Sequence, residues 1–153
     1  MERWSSCKAI VVGGAIGGLG DILFAVSFAA WQGTPPERLL QIVASGWLGD
    51  ASFEGGLATA ALGLASHFAI AFVFAAVYVQ ASRRVAFLAA QPLVAGAIFG
   101  VCVFLFMRLV VLPLSAFPYP VVFRPLSTVL DGLSHMFLFG LPIALAARKA
   151  AAR

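Results

Sequence analysis

Five ionisable side chains lie in stretches of this sequence that are otherwise apolar, and their chemistry is the first feature to explain. They are Asp21, His67, Arg108, Asp131 and His135. A charged side chain near the centre of a lipid bilayer costs at least about 2.5–3.5 kcal/mol, so such groups persist where they are paired, protonated or functional. Carboxylates and imidazoles can exchange protons, hold cations or hydrogen-bond across helices. The set therefore predicts a polar site within the membrane.

The spacing of these residues predicts which of them meet. Asp131 precedes His135 by one helical turn, so its carboxylate can orient the imidazole. At a rise of about 1.5 Å per residue, Asp21, His67 and His135 lie about 12–18 Å from one membrane boundary, and Arg108 and Asp131 lie about 6–8 Å from it. We expect Asp21 to approach His67, with His135 facing the same interior. We also expect an ion pair between Arg108 and Asp131.

Four interpretations of this site are open. In the first, the aspartates and histidines only hydrogen-bond across helices, together with Ser66 and Ser134, and stabilise the bundle. In the second, they relay protons or bind a coupling ion, which requires a homo-oligomer because one chain encloses little volume. In the third, His67 and His135 ligate a b-type haem. In the fourth, the chain is an accessory subunit whose glycine face binds a larger membrane complex.

Motifs for catalysis are missing from the sequence. It contains no H-E-x-x-H, no G-x-S-x-G and no cysteine dyad, so no residue is assigned a catalytic role. Ser66-His67 and Ser134-His135 are adjacent pairs, and neighbours on a helix point about 100° apart, so neither pair can act as nucleophile and base. The two cysteines have no metal-binding spacing, and no metal is expected. These observations favour a non-enzymatic protein.

The elements that position these residues are membrane helices. Of the 153 residues, 62% are apolar and 10% are charged, whereas soluble domains contain about 25% charged residues. Too few charges are present to cover a soluble fold, which indicates a lipid bilayer as the surroundings. The net charge of +4 comes from basic residues scattered between apolar blocks, a pattern that argues against nucleic-acid binding.

Four stretches reach the length of about 20 residues that a transmembrane helix needs. The expected spans are residues 9–30, 55–80, 92–112 and 126–147. Because Asp21 and several glycines interrupt the first stretch, we expect a membrane helix there and not a cleaved signal peptide. The predicted fold is all-α, with one domain over residues 1–153 that forms a bundle of four transmembrane helices.

Basic residues predict the orientation of the bundle. Seven of them flank the spans on one side, namely Arg3, Lys8, Arg83, Arg84, Arg148, Lys149 and Arg153. Three lie on or near the other side, namely Arg38, Arg108 and Arg124. Because basic residues concentrate in cytoplasmic flanks, we expect both termini in the cytoplasm.

A short amphipathic helix is predicted over residues 35–48, between the first two spans. Thr34-Pro35-Pro36-Glu37 is a capping-box pattern with proline at the first helical position. An apolar stripe that includes Trp47 follows, which is typical of a helix lying in the membrane interface. The alternative is a lid packed on the ends of the spans.

Glycines in the first and third spans form small-xxx-small patterns that permit close helix packing. They are Gly13, Gly14, Gly17, Gly18, Gly96 and Gly100. Residues 14–18 also match residues 96–100 at an offset of 82, and residues 62–67 match residues 130–135 at an offset of 68. Such a repeat would relate two helical hairpins and place His67 and His135 at equivalent positions facing one axis.

A resemblance rests on Leu40-Gln41-Ile42-Val43-Ala44-Ser45-Gly46, Gly55-Gly56, His67-Phe68-Ala69-Ile70-Ala71-Phe72 and Tyr78. Together these residues resemble a group of small bacterial four-helix membrane proteins of unknown function. The resemblance implies a bacterial inner membrane and four spans, and it implies no activity. We therefore expect a non-enzymatic membrane protein with an Asp/His site, acting in an oligomer or as an accessory subunit of a membrane complex.

Overall fold

The computed structural model describes residues 4–151, and the regular elements in that range are all helical. The helices are α1 (Ser6–Trp31), α2 (Pro36–Leu48), α3 (Gly56–Ser82), α4 (Ala86–Ala90), α5 (Pro92–Leu114) and α6 (Pro125–Ala151). A turn of 3-10 helix, Gly49–Phe53, joins α2 to α3. Four of the helices, α1, α3, α5 and α6, are long and apolar enough to cross a membrane. The predicted four-helix membrane bundle is confirmed.

Local sequence explains where several helices begin. The Ser5 side chain caps α1 by accepting a hydrogen bond of 3.1 Å from the backbone N–H of Lys8. Pro36, Pro92 and Pro125 each open a helix at a first-turn position, where a missing N–H leaves no bond unmade. The predicted capping box at α2 is wrong: the residue before the helix is Pro35, which has no side-chain acceptor.

The two ends of the bundle differ. The first and last described residues, Trp4 and Ala151, lie at one end, here called the termini end, and α2 lies at the opposite end, here called the α2 end. Helix α1 packs between α3 and α6, and α5 packs on α6. Helices α3 and α5 meet mainly through aromatic rings, including Phe74 against Phe99 at 6.3 Å and Phe74 against Phe106 at 6.1 Å. These rings hold the two helices apart.

Glycines bring α1 close to both of its neighbours. Gly14 lies against Phe72 of α3, while Gly17 lies against the Phe139 carbonyl of α6. On α5, Gly96 lies against the Gly140 carbonyl of α6, so these backbones also approach closely. Small residues permit such contacts, which supply the attraction between helices in lipid.

The same contacts occur twice, at the offsets that the sequence repeat predicts. Gly14 meets Phe72 in the first hairpin, and Gly96 meets Gly140 in the second. Gly96 follows Gly14 by 82 residues, and Gly140 follows Phe72 by 68 residues. Likewise, Gly18 lies against Phe68, and Gly100 lies against Met136. The hairpins α1–α3 and α5–α6 therefore pack by one scheme.

Helix α2 packs on the first half of α3, as the lid interpretation expects. Gly63 of α3 lies so close to the Leu40 carbonyl that a side chain there would overlap it. The Gln41 Nε2 atom donates to the Gly56 carbonyl at 3.2 Å. The Trp47 indole donates to Ser66 Oγ at 3.1 Å. Helix α2 is thus held against α3 by close packing and by these two side-chain hydrogen bonds.

Two π-helical turns interrupt the long helices. They cover Met107–Val111 in α5 and His135–Gly140 in α6. Each is followed within two residues by a proline inside the helix, Pro113 or Pro142. A helix-interior proline lacks a donor and its ring crowds the carbonyl four residues earlier. The wider π turn accommodates that carbonyl, and such turns occur frequently at functional sites.

Candidate functional site

Asp21 connects α1 to α6 by a buried hydrogen bond. Its Oδ1 atom accepts from Ser134 Oγ at 2.9 Å and lies 3.4 Å from His135 Nδ1. Only 8% of the Asp21 surface is exposed. An ionised acceptor strengthens such a bond, because a charge-assisted hydrogen bond is about twice as strong as a neutral one.

Helix α6 presents Asp131 and His135 on one face, one turn apart. His135 Nδ1 lies 3.2 Å from Asp131 Oδ1 and 3.0 Å from the Asp131 carbonyl oxygen. Because the carbonyl can only accept, the proton of the imidazole resides on Nδ1 in this bond. Asp131 therefore orients the imidazole, as its position one turn before His135 predicts.

Helix α5 contributes Arg108. Its Nη2 atom donates to Asp131 Oδ2 at 3.0 Å, so the predicted ion pair is present. Its Nη1 atom donates to the Val122 carbonyl at 3.0 Å and ties the 115–124 loop to the site. The rings of Phe104 and Phe123 lie 5.2 and 5.4 Å from the guanidinium. The Arg108 guanidinium is thus surrounded by a carboxylate, a carbonyl oxygen and two aromatic rings, all of which attract a cation.

Together these side chains form what we call the polar network: Asp21, Arg108, Asp131, Ser134 and His135. It combines two carboxylates, one guanidinium and one imidazole. With a neutral imidazole the network carries one net negative charge. A proton on His135, or a bound cation, would neutralise it.

His67 lies beside the polar network and not within it. Its Nε2 atom donates to the Gly18 carbonyl at 2.8 Å. Within the described residues Asp21 and His67 share no direct hydrogen bond, because Asp21 turns to Ser134 and His135 of α6. The other part of that prediction is confirmed: Asp21, His67 and His135 all line one interior space.

That space is a cavity of about 780 Å³ between α3 and α5, in the half of the bundle nearer the α2 end. Its polar lining consists of Asp21, Ser66, His67, Ser115 and His135, and the remaining lining is apolar and aromatic. A second cavity of about 450 Å³ shares Asp21, His67 and His135 with the first and extends to Arg108 and Asp131. The volume of the larger cavity is typical of a small-molecule site, which spans about 300–1,000 Å³.

The network offers ligand atoms for a cation. One atom each from Asp21, Asp131 and His135 lies within 4.8 Å of the other two. Three protein ligands would leave a fourth position open in a tetrahedral site. However, Arg108 already supplies a positive charge to Asp131. The described geometry is therefore explained by ion pairing without a metal.

Ligation of haem by His67 and His135 would require different side-chain contacts. The Nε2 atom of His67 donates to Gly18, and Nδ1 of His135 is engaged by Asp131. Iron bound at His67 Nε2 would displace the first of these bonds, whereas the second bond leaves Nε2 of His135 free.

Several parts of the site are not evident in the sequence. The Val122 carbonyl that binds Arg108 has no residue-type signal, since every residue carries a carbonyl. The hydrogen bond between Trp47 and Ser66 likewise has no signal in the sequence, since it joins two separate helices. The π turns at Arg108 and His135 have one available signal, the prolines that follow them.

No protein family, no curated protein and no solved structure matches this chain.

Proposed function

We propose that this protein is a non-enzymatic, membrane-embedded binding protein that holds a small, mostly apolar molecule against its Asp/His site. The main support for this proposal is the cavity of about 780 Å³, whose wall includes Asp21, His67 and His135. A few placed polar groups in an apolar lining are characteristic of ligand sites. Here those groups project from transmembrane helices, which position side chains more rigidly than loops.

The proposed setting is the bacterial inner membrane, with both termini in the cytoplasm and the α2 end outside. Five of the seven flanking basic residues, Lys8, Arg83, Arg84, Arg148 and Lys149, lie at the termini end. The other two, Arg3 and Arg153, fall outside the described residues. Basic residues favour the cytoplasmic side.

We further propose that the protein works in an oligomer or as a subunit of a larger membrane complex. The glycine patterns of α1 and α5 would act within the chain, since their faces lie against α3 and α6. Contacts with partners would then use other lipid-facing surfaces of the bundle.

A fluorescence titration tests the binding function. The chain has three tryptophans, so replacing Trp4 and Trp31 by phenylalanine leaves Trp47, which lines the cavity, as the sole donor. N-phenyl-1-naphthylamine, a neutral apolar fluorophore, should accept energy from Trp47 in a saturable manner. Gly46→Phe should abolish saturation, because Gly46 lines the cavity and an added Cβ atom there makes only ordinary contacts with Ser115.

Val129→Phe serves as the matched control, since this residue of α6 is 59% exposed and does not line the cavity. It should leave the titration unchanged. Energy transfer that rises without saturation, or that is the same in the Gly46→Phe and Val129→Phe proteins, would reflect partition into detergent and would refute the binding function.

Coupled transport is the second candidate, favoured by one specific observation. The larger cavity reaches the polar network from the α2 half, while glycine contacts such as Gly13 against Ile143 close the termini half. A site accessible from one side is the arrangement that alternating access requires. Proton or cation flux into liposomes containing the purified protein, absent for Asp21→Asn, would support transport.

A further inference from the structure

We infer that the molecule bound in the larger cavity is a lipophilic monocation: an apolar, ring-bearing body with one protonated or quaternary nitrogen. This inference deepens the proposed binding function and depends on it. Three observations lead to it: the charge that faces the cavity, the rings that surround it, and the internal pairing of the nearest guanidinium.

The charge facing the cavity is negative. Within the described residues, Asp21 is the one carboxylate that lines the larger cavity, and no Lys or Arg lines it. Its recorded partners are the Ser134 hydroxyl and the imidazole of His135. Neither partner carries a permanent positive charge. A carboxylate in a low-dielectric site attracts a cation more strongly than it would in water.

Arg108 does not cancel this charge. Its guanidinium binds Asp131 Oδ2 and the Val122 carbonyl, and it contributes to the smaller cavity only. The pair of Arg108 with Asp131 is neutral as a unit. With a neutral His135 imidazole, the unit charge of Asp21 therefore remains available to a ligand.

Aromatic rings complete the recognition. Trp47, Phe74, Phe117 and Phe139 line the same cavity. The faces of such rings attract cations by about 0.5–2 kcal/mol each, and their bodies provide apolar contact. A neutral ligand would gain only the apolar contact, and an anion would be repelled by Asp21. The expected order of affinity is cation, then neutral molecule, then anion.

Two ions of the same shape test this order directly. Tetraphenylphosphonium and tetraphenylborate differ in the sign of their charge, and triphenylphosphine oxide is a neutral relative. Each is titrated as a competitor of N-phenyl-1-naphthylamine in the protein that retains Trp47 alone. We expect tetraphenylphosphonium to compete at least about tenfold more tightly than tetraphenylborate, which corresponds to about 1.4 kcal/mol.

Substitution of Asp21 locates the charge responsible. Asp21→Asn should remove the tenfold preference for the cation and leave competition by triphenylphosphine oxide unchanged, which also shows that the cavity is intact. Asp21→Glu should keep the preference. Asp50→Asn is the matched control, because Asp50 is an exposed carboxylate at the α2 end that lines neither cavity. It should have no effect.

The outcomes separate this inference from the binding function. Equal competition by the two ions, with saturable fluorophore binding that Gly46→Phe abolishes, would overturn the inference and leave the binding function standing. Fluorophore binding that never saturates would overturn both. If Asp21→Asn fails to fold, the comparison of the two ions in the parent protein still decides the matter.

Discussion

At the scale of single residues, Asp21 is stabilised by a hydroxyl and an imidazole, and Asp131 by a guanidinium. Asp131 is paired with a permanent cation and Asp21 is not, so we expect the two carboxylates to have different roles. The Asp131 carboxylate orients His135 and anchors Arg108. The Asp21 carboxylate lies on the cavity wall. Buried groups with such different partners are candidates for function.

The pair formed by Arg108 and Asp131 should show strong energetic coupling. Arg108→Met or Asp131→Asn alone leaves one partially buried charge without its partner, which destabilises the bundle. The double variant loses both charges. We therefore expect its loss of unfolding free energy to be smaller than the sum of the two single losses by about 1–3 kcal/mol. Unfolding of the purified protein in mixed detergent micelles measures this coupling.

Arg84→Met is a suitable control for the loss of one cation, because Arg84 is exposed at the termini end. Adding Arg84→Met to the Asp131→Asn protein should leave its unfolding free energy close to that of Asp131→Asn alone. Strictly additive effects of Arg108→Met and Asp131→Asn would show that the two side chains do not interact.

The two histidines should not hold haem in the purified protein. Iron bound at His67 Nε2 would have to break the hydrogen bond from that nitrogen to the Gly18 carbonyl. We therefore expect the visible absorption spectrum to lack a Soret band. A Soret band that disappears in the His67→Ala and His135→Ala proteins would contradict this and identify a haem protein.

At the scale of helices, glycine positions decide which backbones can touch. Gly63 lets α2 lie against α3, because the Leu40 carbonyl occupies the space that a side chain at position 63 would fill. Gly132 of α6 has its nearest neighbour, Phe104, at 3.9 Å from an added Cβ atom, which is ordinary contact. The same chemical change should therefore have opposite effects at these two positions.

Gly63→Ala should destabilise the protein by at least about 2 kcal/mol, because the overlap forces α2 away from α3. Gly132→Ala should stabilise it by about 0.5–1 kcal/mol through helix propensity. Thermal unfolding measures both changes. Fluorescence of the protein that retains Trp47 alone adds a local readout, since displacing α2 breaks the hydrogen bond from Trp47 to Ser66. Equal stability of the two variants would exclude the close contact.

At the scale of the whole molecule, the bundle has a closed half and a hollow half. Glycine and alanine contacts fill the termini half, as where Gly96 lies against Ala144. In the half nearer the α2 end, α3 and α5 leave a space between them, and the Phe74 ring, which packs on Phe99 and Phe106, borders this space. The cavity and the polar network occupy this second half. The position of the ligand site thus follows from unequal packing along the bundle.

Labelling with a membrane-impermeant thiol reagent tests the proposed orientation. In a protein with Cys7 and Cys102 replaced, Glu54→Cys should be labelled in intact cells, because this exposed residue lies at the α2 end. Arg84→Cys should be labelled only after permeabilisation, because it lies at the termini end. The reverse pattern would invert the topology, and labelling of both in intact cells would contradict four spans.

Local sequence was enough to predict the four spans and the relative levels of the charged residues along them. Span length is a local property of apolar runs, so the predicted first span, residues 9–30, differs little from Ser6–Trp31. Depth follows from the fixed rise per residue, which is why the pairing of Arg108 with Asp131 could be predicted.

The neighbour that Asp21 meets could not be predicted, because it depends on how α1 packs between α3 and α6. Asp21 follows Gly17 by four residues and Gly18 by three, and these glycines face α6 and α3 respectively. Its side chain lies between the two faces, so helical periodicity alone allows either partner. The cavity could not be predicted from the sequence either, because it depends on how far apart α3 and α5 lie, with aromatic rings between them. Both features arise from how separate helices pack, and a pattern along one helix does not contain that information.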